Sequence, residues 1–291
     1  GTTETGASGS FTATTVGIHT NAGGAVQLDV PGTLTINNDI NTDGSFAQIS
    51  SAGTGSVSIT SPRSISTTSD AVSFASPVTL NGAGTNTTID TRVGGGTGGD
   101  ITFQSTLNAT TAAPNAETLT LNAGTGGNIL FTGAVGSGTR LGAINITNAN
   151  NVTESAGITA ASLTQAAGQG TTNFNGAVNT NTATGVNLTG NAQTVNAGIT
   201  TTGNGIVTFS NAGLLTLNAD IAADGAVTQN GAGVVRINTD RTITTTADAV
   251  GFATNVTLNK TGGTGLLTIN TTSGNAAGAN ITFSSKLDGT T

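Results

Sequence analysis

Residues 213–221 read Gly-Leu-Leu-Thr-Leu-Asn-Ala-Asp-Ile, and this stretch decides the fold. Its centre is a phrase of the form apolar–Thr–apolar–Asn, and alternation of this kind indicates a short β-strand with one buried face. Short strands that recur at near-regular intervals are typical of a stacked coil. The phrase and one variant occur at residues 34–37, 78–81, 119–122, 215–218, 235–238, 256–259 and 267–270.

A longer repeat surrounds this phrase. Residues 32–107 match residues 213–287, and the gaps between the two copies fall in glycine-rich stretches that loops can absorb. Strand starts in the second copy, at Leu215, Val235 and Val256, lie 20 and 21 residues apart. We therefore predict an all-β fold in which residues 1–291 form a single continuous β-solenoid. Its coils of about 20 residues would carry three short strands each, with roughly fourteen coils in all.

The phrase also predicts which side chains face inward. Leucine, isoleucine and valine should stack on their counterparts in the coils above and below, with the intervening threonine outside. The asparagine that ends each phrase falls at a turn, where its side chain can form ladders between coils. The nine phenylalanines mostly close similar phrases, so we interpret them as core residues rather than a ligand cage. Tandem immunoglobulin-like sandwiches are the alternative fold, which the coil-sized spacing and the absence of Trp and Tyr disfavour.

Composition limits the classes of function. Only 7% of residues are charged and the net charge is −7, so an acidic surface without basic clusters argues against nucleic acid and anionic lipid as partners. The chain has no cysteine, which excludes disulfides and sulfur metal sites. No apolar run approaches the roughly 18 residues of a membrane span. These properties favour an exported polypeptide, and the start at Gly1 indicates a processed chain or an excerpt.

Residues suited to catalysis are scarce. His19 is the only histidine, and its neighbours contain no nucleophile motif. Lyases and hydrolases built on parallel β-helices gather acidic and basic residues on one face, whereas Lys260 and Lys286 are the only lysines here. We therefore do not expect an enzyme. A water-ordering threonine array would need one strictly repeated Thr-x-Thr face, which the uneven coil lengths disfavour.

Two acidic turns are candidates for structural calcium. Asp39 and Asp43 precede Gly44, and Asp220 and Asp224 occupy the same places in the second copy. Calcium prefers such oxygen-rich loops. However, the glycine-rich nonapeptide of calcium-binding rolls is absent, and Asp-Gly is also an ordinary turn dipeptide. No other cofactor is expected.

Two arginines recur with an aspartate seven residues later. Arg63 and Asp70 form one such pair, and Arg241 and Asp248 form the other. A salt bridge across a turn or between coils is the simplest interpretation of this spacing, and it would contribute little to stability if exposed.

In its repeated strand phrases, the chain resembles the large repetitive exoproteins of bacteria, namely filamentous-haemagglutinin-like adhesins and autotransporter-type passengers. The strand phrases at 213–221 and 194–199 carry the resemblance, which covers essentially the whole chain and specifies architecture more than partner. It implies a secreted, right-handed parallel β-helix on the bacterial cell surface that acts as a stalk, fibre or adhesin. It carries over no catalytic residue.

The predicted function is structural. We expect an extracellular solenoid that forms a fibre, sheath or surface layer by end-to-end or lateral contacts with other copies of itself. Neither end resembles a polar cap, so the chain is expected to be a window of a longer repetitive protein or a stacking subunit. The alternative is an adhesin stalk or binding module, with a receptor or carbohydrate site elsewhere and a host or neighbouring cell surface as partner. A lyase-like enzyme is the third and least favoured reading.

Overall fold

The computed structural model describes residues 2–5, 11–13, 17–114, 116–260, 262–274 and 277–290. These described residues form short β-strands joined by turns, without a helix, which confirms the all-β prediction. Contacts between Cα atoms divide the chain into two compact units, Gly1–Ala160 (unit 1) and Ala161–Thr291 (unit 2).

The strands of unit 1 are two to eight residues long. They are β1 (Thr2–Thr5), β2 (Phe11–Ala13), β3 (Ile18–His19), β4 (Val26–Asp29), β5 (Thr33–Ile36), β6 (Ile40–Thr42), β7 (Phe46–Ile49), β8 (Ser56–Thr60), β9 (Arg63–Thr67), β10 (Val72–Phe74), β11 (Val78–Asn81), β12 (Asn86–Asp90), β13 (Ile101–Phe103), β14 (Leu107–Ala109), β15 (Thr118–Asn122), β16 (Ile129–Phe131), β17 (Leu141–Asn148) and β18 (Val152–Glu154).

The next strand, β19 (Ile158–Gln165), contains the residues at which the chain is divided. The strands of unit 2 are β20 (Thr171–Phe174), β21 (Val178–Thr180), β22 (Val186–Gly190), β23 (Ala192–Val195), β24 (Ile199–Thr201), β25 (Val207–Asn211), β26 (Leu215–Leu217), β27 (Ile221–Ala222), β28 (Val227–Gln229), β29 (Val235–Asn238), β30 (Arg241–Thr244), β31 (Val250–Phe252), β32 (Val256–Asn259), β33 (Leu267–Asn270), β34 (Ile281–Phe283) and β35 (Leu287–Gly289).

In each unit, equivalent strands of successive coils pair in parallel and stack into three columns. In unit 1, column 1 runs β1-β4-β7-β10-β13-β16-β18, column 2 runs β2-β5-β8-β11-β14, and column 3 runs β3-β6-β9-β12-β15-β17. In unit 2, the corresponding columns are β22-β25-β28-β31-β34, β20-β23-β26-β29-β32-β35 and β21-β24-β27-β30-β33. Most coils thus contribute three short strands, as predicted, and each unit is a β-solenoid.

The number of coils is smaller than the sequence suggested. Among the described residues, the longest column holds seven strands in unit 1 and six in unit 2, against the roughly fourteen coils predicted. Coil length varies: Val26 pairs with Phe46, 20 residues on, whereas Val72 pairs with Ile101, 29 residues on. The longer coils contain glycine-rich loops such as residues 93–99, which lengthen a coil without adding a strand.

The core follows the predicted alternation. On β5, Leu34 and Ile36 are each 1% exposed, while the intervening Thr35 is partly exposed. Because parallel pairing keeps equivalent residues in register, apolar side chains stack on one another through the interior. Burial of this kind stabilises a β-solenoid in proportion to the apolar area removed from water.

Phenylalanine rings form part of this interior, as predicted. Phe46, Phe74, Phe103 and Phe131 lie in column 1 of unit 1, with successive ring centroids 5.8, 5.4 and 5.5 Å apart. All four rings are at most 1% exposed. Spacings in this range are favourable for aromatic pairs and add to the hydrophobic contribution.

Candidate functional site

The first acidic turn joins neighbouring coils through hydrogen bonds to its carboxylates. Asp39 Oδ1 accepts a hydrogen bond from the backbone N–H of Ser64, at 2.9 Å. Asp43 Oδ2 accepts from the N–H of Gly23 at 2.6 Å, and its Oδ1 accepts from the Thr68 hydroxyl at 2.7 Å. Asp39 therefore bonds to the following coil, while Asp43 bonds to the coils on both sides.

The second acidic turn repeats this arrangement. Asp220 Oδ1 accepts from the N–H of Thr242 at 2.9 Å, and Asp224 Oδ2 accepts from the N–H of Asn204 at 2.7 Å. The N–H of Asp224 in turn donates to Thr201 Oγ1 at 3.1 Å, as the N–H of Asp43 does to the Thr20 hydroxyl in the first copy. The structural repeat therefore includes Thr20 and Thr201, which precede the two segments aligned by sequence, residues 32–107 and 213–287.

Hydrogen bonding affects the acidity of one of these groups. The Thr68 hydroxyl and, secondarily, the Gly23 N–H lower the pKa of Asp43, because both stabilise its ionised form. Each of the four aspartates thereby has at least one carboxylate oxygen engaged by a neighbouring coil. Within the described ranges, no three histidine, aspartate or glutamate side chains come together as a metal site. Calcium binding by these aspartates stays a prediction.

The two predicted arginine–aspartate salt bridges are wrong. Arg63 Nη1 donates to the carbonyl of Pro62 at 2.5 Å, and Arg241 Nη1 donates to the carbonyl of Asp240 at 2.7 Å. Among these described residues, neither Asp70 nor Asp248 forms an ion pair with its arginine. Each guanidinium instead contacts the carbonyl of the residue that precedes its own strand.

An asparagine ladder follows column 2 of unit 2, as the sequence suggested. The Nδ2 group of each asparagine donates to Oδ1 of the asparagine in the preceding coil, at distances of 2.8, 2.6, 2.6 and 2.8 Å. Its members are Asn175, Asn196, Asn218, Asn238 and Asn259. The amide side chain suits this role, since it donates to one neighbour and accepts from the other.

A buried carboxylate was missed by the sequence analysis. Glu117 is 0% exposed, and its two oxygens accept hydrogen bonds from the N–H groups of Gly82, Thr110 and Thr111 at 3.0, 3.2 and 3.1 Å. The hydroxyls of Thr110 and Thr111 also donate to Oε1, at 2.9 and 2.8 Å. Burial alone would raise the pKa of Glu117, but these hydrogen bonds outweigh it, so the net pKa is lowered. The carboxylate ties a loop to the preceding coil.

Two shallow grooves lie on the described part of the surface, one in each unit. One groove of about 330 Å³ in unit 1 is lined by Asp39, Pro62, Arg63, Ser64, Asn86 and Thr88. Another of about 530 Å³ in unit 2 is lined by small and polar residues that include Gly168, Gly190 and Asn191. His19 lies outside both grooves, exposed on β3 beside Asn41.

The comparisons with known proteins assign the chain to no family. No known protein family, curated protein or solved structure matches this chain. A search of the described residues for a helix long and apolar enough to cross a lipid bilayer finds none. The resemblance to repetitive exoproteins therefore rests on the strand phrases, and the architecture they imply is compatible with the β-solenoid of each unit.

Proposed function

We propose that the chain is a structural module of an extracellular protein, in which stacked coils form a fibre, sheath, surface layer or stalk. The asparagine ladder of unit 2 is the observation that carries this proposal, because the same bond recurs at four successive coil boundaries. The acidic turns, at equivalent places in the two copies of the repeat, bond neighbouring coils in the same way. Such repeated hydrogen bonds resist separation of the coils, and the stabilisation is distributed over many residues.

The proposed partner is the protein itself, through contacts between coils of different copies. A parallel strand at the end of a column leaves a row of backbone N–H and C=O groups that can pair with another strand. The extracellular location in this proposal follows from the resemblance of the strand phrases to repetitive bacterial exoproteins. A catalytic role is not proposed, since the acidic side chains at both turns are used as hydrogen-bond acceptors between coils.

The second candidate is an adhesin stalk whose binding region lies elsewhere in a longer protein. The uniform threonine- and asparagine-rich outer surface supports a spacer more than a sugar-binding tip, because the chain lacks the Trp and Tyr that commonly stack on sugars. In this case the surface of a host or a neighbouring cell would be the partner of the distal region.

Electron microscopy and X-ray diffraction of the native material test the proposal. Continuous fibres or layers with an axial reflection at about 4.8 Å, the spacing of paired strands, are the expected result. Discrete particles that stay soluble at high concentration would favour the stalk. Native material found only inside cells, or without ordered β-structure, would contradict both candidates.

A further inference from the structure

The groove in unit 1 crosses three neighbouring strands of column 3, namely β6, β9 and β12. Its volume is about 330 Å³, and because the three strands pair side by side it extends over two strand spacings, roughly 10 Å. Column 3 continues on both sides of the groove, through β3 and β15. The groove therefore lies among inner coils of the unit. It is lined by Asp39, Pro62, Arg63, Ser64, Asn86 and Thr88.

The guanidinium of Arg63 is only partly used by the chain. Its Nη1 donates to the carbonyl of Pro62 at 2.5 Å, while its Nε is buried without a partner. Among the residues that the structure describes, no carboxylate lies within ion-pair distance of Arg63. A guanidinium carries five N–H donors in a planar fork, so most of these donors remain for a group outside the chain. A partly buried cation without a counter-ion is unfavourable, and a bound anionic group would stabilise it.

The second copy of the repeat holds an arginine in the same way but in different surroundings. Nη1 of Arg241 donates to the carbonyl of the preceding residue at 2.7 Å, and its Nε is also buried without a partner. Leu266 takes the position of Asn86, one residue before the strand partner of the arginine. Asp240, a second acidic residue, directly precedes Arg241. The second copy thus replaces a polar neighbour by an apolar one and adds a negative charge.

The other polar groups of the groove require a ligand that also donates hydrogen bonds. Asp39 Oδ1 accepts from the Ser64 N–H at 2.9 Å, whereas Asp39 Oδ2 accepts no hydrogen bond from any described residue. The Thr88 hydroxyl accepts from Asn86 Nδ2 at 2.9 Å, which leaves its own O–H free to donate. A carboxylate oxygen can only accept, and a guanidinium can only donate. The ligand therefore needs a negatively charged acceptor and a donor together.

This requirement narrows the chemical class of the ligand. A metal cation would be repelled by Arg63, and an inorganic anion such as sulfate would meet Asp39 without a hydrogen to donate. A free α-amino acid carries both kinds of group, but at one end, whereas the polar groups of the groove come from three strands. A sugar acid carries a carboxylate on one side of its ring and hydroxyls on the others, so its polar groups can reach all three strands.

We propose that the groove around Arg63 binds a sugar acid of the hexuronate class. The carboxylate pairs with the guanidinium, one ring hydroxyl donates to Asp39 Oδ2, and another accepts from the Thr88 hydroxyl. Recognition rests on charge and hydrogen bonds, since the six lining residues include no aromatic ring. The net charge of −7 favours a glycan with isolated acidic sugars over a polyanion. This inference goes beyond the proposed structural function and does not depend on it.

A titration of the full 291-residue chain, labelled with ¹⁵N, tests the proposal by nuclear magnetic resonance. The probes are sodium glucuronate and glucose, which carries CH₂OH in place of the carboxylate. Glucuronate should cause saturable shifts of the amide signals of Arg63, Ser64 and Thr88. Glucose should bind at least about tenfold more weakly, because it lacks the charged group that pairs with the guanidinium.

Substitutions assign the binding to this groove. Arg63→Gln should weaken glucuronate binding by at least about tenfold, whereas Arg241→Gln is the matched control and should change it by less than about twofold. Asp39→Asn should weaken binding of glucuronate and strengthen binding of sulfate, because it removes a negative charge together with an acceptor. Thr88→Val keeps the branched shape and removes the hydroxyl, so it provides a second variant if Arg63→Gln does not fold.

Several results would overturn the proposal. They are the absence of shifts at the groove, equal binding of glucose and glucuronate, and equal losses from Arg63→Gln and Arg241→Gln. Sulfate that binds the unsubstituted chain as tightly as glucuronate does would show a site for anions in general. Glycine that binds more tightly than glucuronate would assign the groove to amino acids instead.

Discussion

At the scale of single residues, polar side chains act mainly as connectors between coils. Asp39, Asp43, Asp220 and Asp224 each accept a backbone N–H from a neighbouring coil, and Glu117 does so in the interior. A carboxylate can accept several hydrogen bonds at once, so one side chain satisfies donors on more than one segment. The charge of these residues is thus used locally, to order turns and loops.

Glu117→Gln should destabilise the backbone at Thr110 and Thr111 by about 1–3 kcal/mol, because an amide NH₂ would then face their N–H donors. The pKa of Glu117 is lowered in the folded chain, so its contribution is present above the ordinary value of 4.5 and is lost as the pH falls through the lowered value. Hydrogen exchange of the Thr110 and Thr111 amides measures the effect. The difference from the wild type should narrow in acid, and a difference that grows there would contradict this assignment.

Removal of calcium with EDTA should leave the melting temperature of the chain unchanged. The aspartates of the acidic turns already accept backbone hydrogen bonds, whereas calcium needs six to eight oxygen ligands. Thermal unfolding followed by circular dichroism, with EDTA or with added calcium, measures this. Two variants of Asp224 test the role of its hydrogen bond without calcium. Asp224→Asn keeps one acceptor oxygen for the Asn204 N–H, so it should lower the melting temperature less than Asp224→Ala does. A melting temperature that rises with calcium and falls with EDTA would instead support the calcium site.

At the scale of elements, each strand is stabilised chiefly by the strands above and below it in its column. The alternation on β5 predicts its buried residues correctly, since each apolar side chain has a counterpart one coil away. The same logic gives the asparagine ladder of unit 2, because its asparagines occupy equivalent positions in successive coils of one column. The stability of a column therefore depends more on the register between its paired strands than on any one side chain.

Asn218→Ala should destabilise unit 2 by about 1–2 kcal/mol, because it removes two ladder bonds and leaves Asn196 and Asn238 without their partner. The measurement is the free energy of exchange of amides in β26 and β29. Asn187→Ala is the matched control, since Asn187 is exposed on the outer face of β22. Equal effects of the two substitutions would argue that the ladder contributes nothing beyond side-chain volume.

Phe103→Ala should cost about 3–5 kcal/mol, because the ring is 1% exposed and removing it leaves a cavity between Phe74 and Phe131. Phe283→Ala should cost clearly less, since the Phe283 ring on β34 is partly exposed. Urea unfolding of the two variants provides the comparison. Similar losses of stability would mean that the Phe283 ring is covered in solution.

The structure also shows which features the sequence could not predict. Coil number was overestimated, because glycine-rich loops such as residues 93–99 lengthen a coil without adding a strand. Glu117 carries no local signature, since its partner Gly82 lies 35 residues away. The predicted arginine–aspartate pairs were wrong because a spacing that recurs in sequence does not fix a contact in space; Nη1 of each arginine donates to the carbonyl of the preceding residue instead. Periodicity predicts columns well and isolated contacts poorly.

At the scale of the whole molecule, each of the two units is held together by contacts between adjacent coils. Solenoids of this kind behave approximately as a sum of coil stabilities and nearest-neighbour terms. The chain has few charged residues, so long-range electrostatics contributes little to either unit. A destabilising substitution should therefore affect mainly the coil that contains it and the two adjacent coils.

Ile221→Asn tests this locality. Ile221 is 1% exposed on β27, between β24 and β30, so a polar side chain there should speed amide exchange in those three strands. Exchange in β4, β7 and β10 of unit 1 should change by less than about twofold. Hydrogen-exchange mass spectrometry measures both regions at once, and equal acceleration in the two units would contradict nearest-neighbour stability.

The agreement between the two copies of the acidic turn has a consequence for how such a chain can change over generations. Because equivalent residues of the two copies bond to their neighbouring coils in the same way, a duplicated copy in the gene adds coils that reuse an existing interface. Unequal recombination between the copies could then lengthen or shorten the protein in blocks of about 181 residues, the distance from Gly32 to Gly213. Length itself becomes a heritable trait that selection can adjust separately from the fold.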